Sequence, residues 1–384
     1  MGETLVWAGL FYTFAALLLH WEADLSWAKT DLMLGFTLAI LTSAIFAPVF
    51  GRLIDAGYGK WVLTGGAVTG AGLLVLLAHA QSRVEFITLW MMIGAAQAAC
   101  LYEPCFAFVT RVVAGQARAA ITRITLVAGF ASTLAFPLAA TLAQDYGWRG
   151  ALLVFAGIVG FAAAPLLFFG ATLLENSVPE PAVSASHSVN KAAVRRAIHR
   201  VEFWLIAGAF AFISLNHSMV ISHILPMFVD RGATAPEAVQ AAMLIGPAQV
   251  AGRLLMMRLE KQVSTSGVAL WAISGGCVAA SVLFLAGFQP ALVFPFAILQ
   301  GASFGVVSIL RQVLVAEVLG RVAFGAISSR VAIPFLVAAA TAPYIAAVLW
   351  NIGGYDLVII TALCFALAGL VSVMMLRRIT TRKS

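Results

Sequence analysis

Five side chains that can bind a solute or carry a charge lie inside long apolar runs of this sequence. Glu103 and Arg311 are charged, whereas Tyr12, Asn216 and His217 are polar groups that donate or accept hydrogen bonds. An ionisable residue inside an apolar segment is costly and usually marks a substrate site, an ion path or a proton relay. A guanidinium binds a carboxylate well, and an imidazole can bind a solute or pass a proton near neutral pH. These five residues are therefore the predicted substrate-binding set.

Each of the five also has a purely structural interpretation, and the sequence leaves both open. Glu103 and Arg311 can form a salt bridge with each other, and His217 can bond to a neighbouring helix. An aromatic residue such as Tyr12 often serves packing alone. Adjacent helical positions are about 100° apart, so we expect only one of Asn216 and His217 to point squarely into a shared cavity.

The composition determines the environment of these residues. The chain has 384 residues, of which 62% are hydrophobic and 10% are charged, and its mean hydropathy is +0.99. A soluble domain is about half apolar and about one quarter charged. The composition therefore excludes a soluble enzyme, a disordered chain and a nucleic-acid-binding protein. A membrane helix needs about 20 residues and a short loop, so a chain of this length holds about twelve spans. The predicted fold is an all-α polytopic membrane protein.

Apolar runs separated by short polar breaks give the predicted spans. Their approximate limits are 4–22, 31–50, 60–80, 85–108, 119–143, 149–172, 202–228, 237–257, 267–287, 292–314, 325–348 and 355–376. The polar stretch 175–200 contains proline and serine and ends in basic residues, which indicates a linker. We therefore predict a six-helix bundle at 1–174, a linker at 175–200 and a second six-helix bundle at 201–384.

The distribution of positive charge predicts the orientation. All but four of the 23 lysines and arginines fall on the side that carries both termini and the linker; the exceptions are Lys29, Arg83, Arg149 and Arg231. Positive residues near membrane helices stay cytoplasmic, so we expect the linker and both termini in the cytoplasm and the chain in the plasma (inner) membrane. The net charge of +7 then follows from topology, and no nucleic-acid partner is expected.

The two halves share a repeated loop. Residues 51–55 read Gly-Arg-Leu-Ile-Asp after the second run, and residues 252–256 read Gly-Arg-Leu-Leu-Met after the eighth. Arg123 and Arg330 occupy matching places in the fifth and eleventh runs. Tandem repeats of this kind are typical of secondary transporters, whose substrate binds near the midplane between the repeats.

Residues 51–60 resemble the loop signature of the major facilitator superfamily, a Gly-x-Leu-x-Asp-Arg-x-Gly-Arg-Lys pattern between helices two and three. Gly51, Leu53, Asp55 and Lys60 match the pattern, whereas Ala56 stands where an arginine is expected. The second copy lacks the aspartate. Within the superfamily, the sequence looks nearest to the monocarboxylate and oxalate/formate antiporter-like branch.

The resemblance implies a cavity lined by helices one, four, seven and ten, with Glu103 and Arg311 facing each other across it. It also implies that the loop between helices two and three acts as a cytoplasmic gate, in which Gly51 permits a turn and a close approach between helices. The predicted gating residues are Gly51, Arg52, Asp55, Arg123, Gly252, Arg253 and Arg330.

The predicted function is secondary active transport of a small organic anion, with carboxylates as one candidate class. The alternative is an exporter of neutral or amphipathic toxicants, or of a metalloid oxyacid, from the same superfamily. A membrane-embedded enzyme or a sensor is a third hypothesis, which the scattered polar groups and the short linker disfavour. We therefore predict that the chain is not an enzyme.

The expected partners are a small-molecule substrate and the lipid bilayer, and the expected state is a monomer without a cofactor. Residues 57–61 read Gly-Tyr-Gly-Lys-Trp, which is not a P-loop, so ATP-driven transport is unsupported. Coupling to H⁺ or to another solute gradient is expected instead. His223 lies off the i, i+4 face of His217, so we predict no two-histidine metal site.

Overall fold

The computed structural model describes residues 1–113, 117–176, 194–259, 264–320 and 324–381, and the regular elements in these ranges are helices. In lipid, the backbone N–H and C=O groups must bond within the protein, which a helix achieves within its own segment. The chain divides into two compact units, Met1–Val183 and Ser184–Ser384. The limits predicted for the bundles and linker stay a prediction, because residues 177–193 lie outside the described ranges.

Unit 1 contains six spans. The first four are α1 (Gly2–Leu25), α2 (Lys29–Leu53), α3 (Gly59–Ala78) and α4 (Arg83–Val112). The next apolar helical stretch, Ala120–Asn176, has 57 residues and would be about 85 Å long if straight, far more than the roughly 30 Å of a bilayer core. It turns at Gly147, whose φ of 69° lies in the left-handed region. The turn separates α5 (117–146) from α6 (148–176).

Unit 2 also contains six spans. They begin with α7 (Val201–Ser222, extended by Ile224–Asp230) and α8 (Ala235–Met243 and Ile245–Leu259), followed by α9 (Thr265–Leu285) and α10 (Val293–Leu314). The helical stretch Phe324–Thr381 has 58 residues and turns at Gly353 and Gly354. This turn separates α11 (324–352) from α12 (355–381).

The described residues account for twelve spans. Nine helices among them are long and apolar enough to cross a membrane. Two of the nine contain a glycine turn and supply two spans each, and α8 adds one span in two shorter pieces. The predicted all-α polytopic fold is therefore confirmed, and the chain is an integral multi-pass membrane protein.

The end of the predicted linker belongs to unit 2. Residues 194–198 are helical, and Val194 and Ala197 are buried against Phe203 in the apolar core of this unit. Trp204 Nε1 donates to the Ile198 carbonyl at 2.9 Å. Apolar residues at helical spacing stand between the arginines here, and the basic residues concealed that pattern in the sequence.

Aromatic packing fixes the inner helices of unit 1. Phe14 of α1 stacks on Phe36 of α2 with ring centroids 4.4 Å apart, and its edge meets Trp90 of α4 at 4.9 Å. Trp21, farther along α1, meets Phe86 of α4 at 5.1 Å. Large aromatic side chains bury 150–250 Å² each, so these contacts hold α1, α2 and α4 together.

Glycines allow two corresponding helix pairs to approach closely. A β-carbon on Gly94 of α4 would collide with the backbone of Ala39 in α2. In unit 2, a β-carbon on Gly252 of α8 would collide with the backbone of Ala302 in α10. Small residues at such contacts are what permits membrane helices to pack backbone against backbone. The α8–α10 contact fixes α10, which carries the candidate site described next.

Candidate functional site

Three polar side chains form a network inside unit 2, between α7 and α10. Gln300 Nε2 donates to Asn216 Oδ1 at 3.2 Å and to His217 Nδ1 at 3.3 Å. Asn216 Nδ2 in turn donates to the carbonyl of Ala362 in α12 at 2.9 Å. Asn216, His217 and Gln300 are only 4%, 9% and 3% exposed. The structure thus brings two residues of the predicted set together with one that sequence reasoning missed. We call these three residues the polar cluster.

The polar cluster lies against an aromatic ring and a small cavity. The His217 ring stacks on Phe304 of α10, with ring centroids 3.3 Å apart and planes within 3° of parallel. The cavity is lined partly by Ile213, Asn216, Gly276, Gln300, Ser303 and Phe304. Among the described residues that line it, none is ionisable. Asn216 lines the cavity while His217 faces Phe304, as expected for neighbours about 100° apart on a helix.

Arg311 lies farther along α10, about 16 Å from Gln300 at the rise of an α-helix. Its guanidinium carbon lies 4.5 Å from the centre of the Phe335 ring in α11, and its Nη1 is buried. The carbonyl of Phe335 accepts a hydrogen bond from Ser214 of α7 at 2.9 Å. Arg311 therefore places a positive charge near the contact of α10 with α11, and not in the cavity beside the polar cluster.

Tyr12 belongs to an aromatic surface of unit 1. Its half-buried ring lies 5.4 Å from Phe11 and 6.0 Å from Phe136 of α5, measured between centroids. Trp7, on the preceding turn of α1, meets Tyr102 of α4 at 4.6 Å. We call these five residues the aromatic surface. The position of Tyr12 there is compatible with packing and with contact to a flat or apolar solute.

Glu103 follows a break in α4. Leu101 has an extended backbone with ψ of −162°, and Pro104 cannot donate to the carbonyl of Cys100 one turn earlier. Glu103 lies in the first turn of the second piece of α4 and is exposed. Because Glu103 belongs to unit 1 and Arg311 to unit 2, the expectation that they face each other stays a prediction.

The first copy of the repeated loop is exposed in this structure. The side chain of Arg52 is exposed, and its Nε donates to the Pro48 carbonyl one turn back at 3.2 Å. Gly57 has φ of 99°, a conformation that favours glycine. A β-carbon on Gly51 would meet nothing within 4 Å, so the close helix approach expected at this glycine is not observed. The side chain of Asp55 lies outside the described residues.

The second copy of the loop is packed. Gly252 lies against the backbone of α10, and Arg253 is 4% exposed with its Nε donating to the Gly305 carbonyl at 3.2 Å. The side chains of Arg123 and Arg330, in α5 and α11, are both exposed. The gating roles of these residues and of the first loop stay predictions.

Gln300 and Phe304 are the residues that sequence reasoning missed. An uncharged amide in an apolar run does not stand out as an ionisable residue does. A signal was available, however, because Gln97 lies at a similar place in the fourth helix of unit 1 and Gln300 in the fourth helix of unit 2. Gln97 Nε2 likewise reaches the first helix of its unit, where it donates to the Leu10 carbonyl at 2.7 Å. A buried glutamine at matching places in both repeats is a sign of a cross-helix hydrogen bond.

Comparison with known proteins places this architecture among transporters. A family model described as Major Facilitator Superfamily matches residues 2–328. No curated protein sequence matches the chain significantly.

Solved structures with the same fold cover nearly the whole chain. A bacterial homologue of the human lysosomal transporter Spinster, in an inward-facing and unoccupied conformation, is similar with a TM-score of 0.63 and 15% identity, over 98% of this chain and 93% of that chain. The nucleoside transporter NupG is similar with a TM-score of 0.70 and 12% identity, over 98% of this chain and 96% of that chain. At these identities the similarity shows the fold.

Proposed function

The chain belongs to the Major Facilitator Superfamily, and we propose that it is a secondary active transporter of a small organic anion. The family and the transporter structures that share the fold indicate membrane transport rather than catalysis. Two units of six spans suit alternating access, in which the substrate binds near the midplane and rocking of the repeats exposes it to either side.

Arg311 is the observation that carries the anion proposal. Arg311 lies in the last turn of α10 and its Nη1 is buried. A buried charge at the end of a span is costly, and residues of this kind are candidates for a substrate or ion path. The Phe335 ring lies 4.5 Å from the guanidinium carbon, and a guanidinium is the side-chain group best suited to bind a carboxylate. We assign anion binding to Arg311, with carboxylates as the leading class.

The remaining assignments are proposals that accompany this function. Coupling to H⁺ or to another solute gradient supplies the driving force, with Glu103 as the proposed proton carrier. We place the protein in the plasma membrane as a monomer, with its termini and linker in the cytoplasm, because the basic residues concentrate on that side. No cofactor or nucleic-acid partner is proposed.

A second candidate is the exporter of neutral or amphipathic compounds. The aromatic surface of α1, α4 and α5 favours it, since Trp7 and Tyr102 lie 4.6 Å apart beside Tyr12. Aromatic rings bind flat apolar and cationic solutes. Under this second candidate function, Arg311 has only a structural role.

Thermal stability of the detergent-purified protein against a ligand panel separates the two candidates. The panel contains monocarboxylates, dicarboxylates, arsenite, sugars and lipophilic cations. A ligand at about 100 times its Kd stabilises the folded state by about 2.7 kcal/mol. We expect carboxylates to raise the Tm of the wild type and of Arg258→Ala, an exposed arginine of α8, but not of Arg311→Ala. Stabilisation by lipophilic cations alone, or equal stabilisation of Arg311→Ala, would contradict the anion proposal.

A further inference from the structure

The hydrogen-bonding atoms of the polar cluster divide into those that bond to a described residue and those that do not. An amide nitrogen carries two hydrogens and cannot accept. Gln300 Nε2 uses both hydrogens, one toward Asn216 Oδ1 and one toward His217 Nδ1. Its Oε1 makes no hydrogen bond with any described residue. The amide of Gln300 is therefore held in one orientation with its oxygen left as an acceptor.

His217 is left with a donor. Because the Gln300 nitrogen can only donate, His217 Nδ1 must accept, and an imidazole that accepts at Nδ1 carries its hydrogen on Nε2. This Nε2–H has no hydrogen-bond partner within the part of the chain that the structure describes. Asn216 uses one amide hydrogen on the Ala362 carbonyl and keeps the second. The polar cluster thus offers one acceptor and two donors, and all three are uncharged.

We propose that the polar cluster binds an uncharged group in which a donor and an acceptor lie side by side, namely a carboxamide. The inference rests on the proposed transport function and specifies the polar, uncharged part of its substrate. An amide N–H would donate to Gln300 Oε1, and the amide carbonyl would accept from Asn216 Nδ2, since both residues line the cavity. Phe304, on which the His217 ring stacks, also lines the cavity and supplies an aromatic side chain beside the two amides.

The charge distribution disfavours a carboxylate at this place. None of the described residues that line the cavity is ionisable, and Arg311 is about 16 Å away along α10. A carboxylate in the cavity would lose its hydration without gaining a cation, which is unfavourable. It would also leave Gln300 Oε1 facing an acceptor.

Matched pairs of probes test this inference on the intact protein. The pairs are nicotinamide with nicotinate and lactamide with lactate, each titrated to about 50 mM so that a millimolar Kd is measurable from the Tm shift. The variant Gln300→Met keeps the approximate size of the side chain but removes both donated hydrogens and the Oε1 acceptor. Gln300→Leu is the second variant, and Gln97→Leu is its control, because Gln97 is an equally buried glutamine in unit 1.

We expect the wild type and Gln97→Leu to bind each amide at least tenfold more tightly than the matching acid, with each Kd taken from the Tm shifts. Both substitutions at Gln300 should weaken amide binding by about tenfold or more, the effect of losing a hydrogen bond to a buried partner. Amide binding that is unchanged in both Gln300 variants, acids that bind as well as amides, or no stabilisation by either amide would overturn the inference. If Gln300→Leu does not fold, Gln300→Met decides.

The test also separates this inference from the proposed function. Stabilisation by carboxylates alone, lost in Arg311→Ala, would keep the anion transporter and remove the amide site. Amides could instead stabilise the protein in a Gln300-dependent way and yet show no flux in proteoliposomes. That result would support the amide site and count against transport of these compounds.

Discussion

Polar side chains within these helices make hydrogen bonds in two ways. Ser222 and Thr361 donate to carbonyls of their own helices at 2.7 and 2.8 Å, which is the local solution for a hydroxyl in a membrane helix. Asn216 and Gln300 instead bond across helices and to each other. The amides of the polar cluster retain unused donors and an acceptor, whereas a locally bonded hydroxyl has used its only donor and can only accept. This difference makes the polar cluster a binding site candidate.

The two arginines of the repeated loop should differ in their effect on stability. Arg253 is buried and bonded to the Gly305 carbonyl, whereas Arg52 is exposed. We expect Arg253→Met to lower the free energy of unfolding by about 1–3 kcal/mol, because it leaves a buried carbonyl with one partner fewer. Arg52→Met should change it by less than about 0.5 kcal/mol. Thermal unfolding in detergent measures both, and equal losses in the two variants would contradict this difference.

At the scale of helices, the same sequence motif serves two structures. The second helix ends in Gly-Arg-Leu at Leu53, and the eighth contains the same three residues at 252–254, five residues before its end at Leu259. Only the second copy packs its glycine and arginine against the fourth helix of its unit. The contact of α2 with α4, at Ala39 and Gly94, lies 12 residues or about three helix turns before the motif. The position of the close approach along the helix pair therefore decides whether the loop is packed or exposed.

Alanine substitutions at the paired glycines test this packing. In Gly252→Ala the new methyl group meets the backbone of Ala302, which cannot move aside cheaply, so we expect a loss of about 1–3 kcal/mol. In Gly51→Ala the methyl group meets nothing, and alanine is favoured over glycine in a helix by about 1 kcal/mol. Gly51→Ala should therefore be neutral or stabilising. A larger loss of unfolding free energy in Gly51→Ala than in Gly252→Ala would contradict the close contact between α8 and α10.

The sequence predicts the helices well and the contacts poorly. Apolar run lengths predict twelve spans, and Pro104 predicts the interruption of α4 near Leu101. Burial of Arg253 and exposure of Arg52 cannot be predicted, since the two residues have the same local sequence and differ only in tertiary packing. Asn216 and His217 were found because polar residues are rare in such runs, whereas Gln300 becomes visible only when α10 is placed against α7.

At the scale of the whole molecule, the two six-span units have different chemical characters. Unit 1 presents rings, among them Trp7, Tyr12 and Tyr102, whereas unit 2 presents Arg311 and the polar cluster. Secondary transporters bind substrate where their repeats meet. The two units therefore offer different kinds of contact to a solute, aromatic rings in unit 1 and a positive charge with hydrogen-bonding amides in unit 2.

Counterflow in proteoliposomes tests the central claim, transport of an organic anion, most directly. Vesicles containing the purified protein are loaded with the carboxylate that gives the largest Tm shift, and entry of the labelled compound is followed over time. We predict transient accumulation of label with the wild type and with Arg258→Ala, and none with Arg311→Ala that is still folded. Full counterflow by Arg311→Ala, or no counterflow by the wild type with any stabilising carboxylate, would contradict the account.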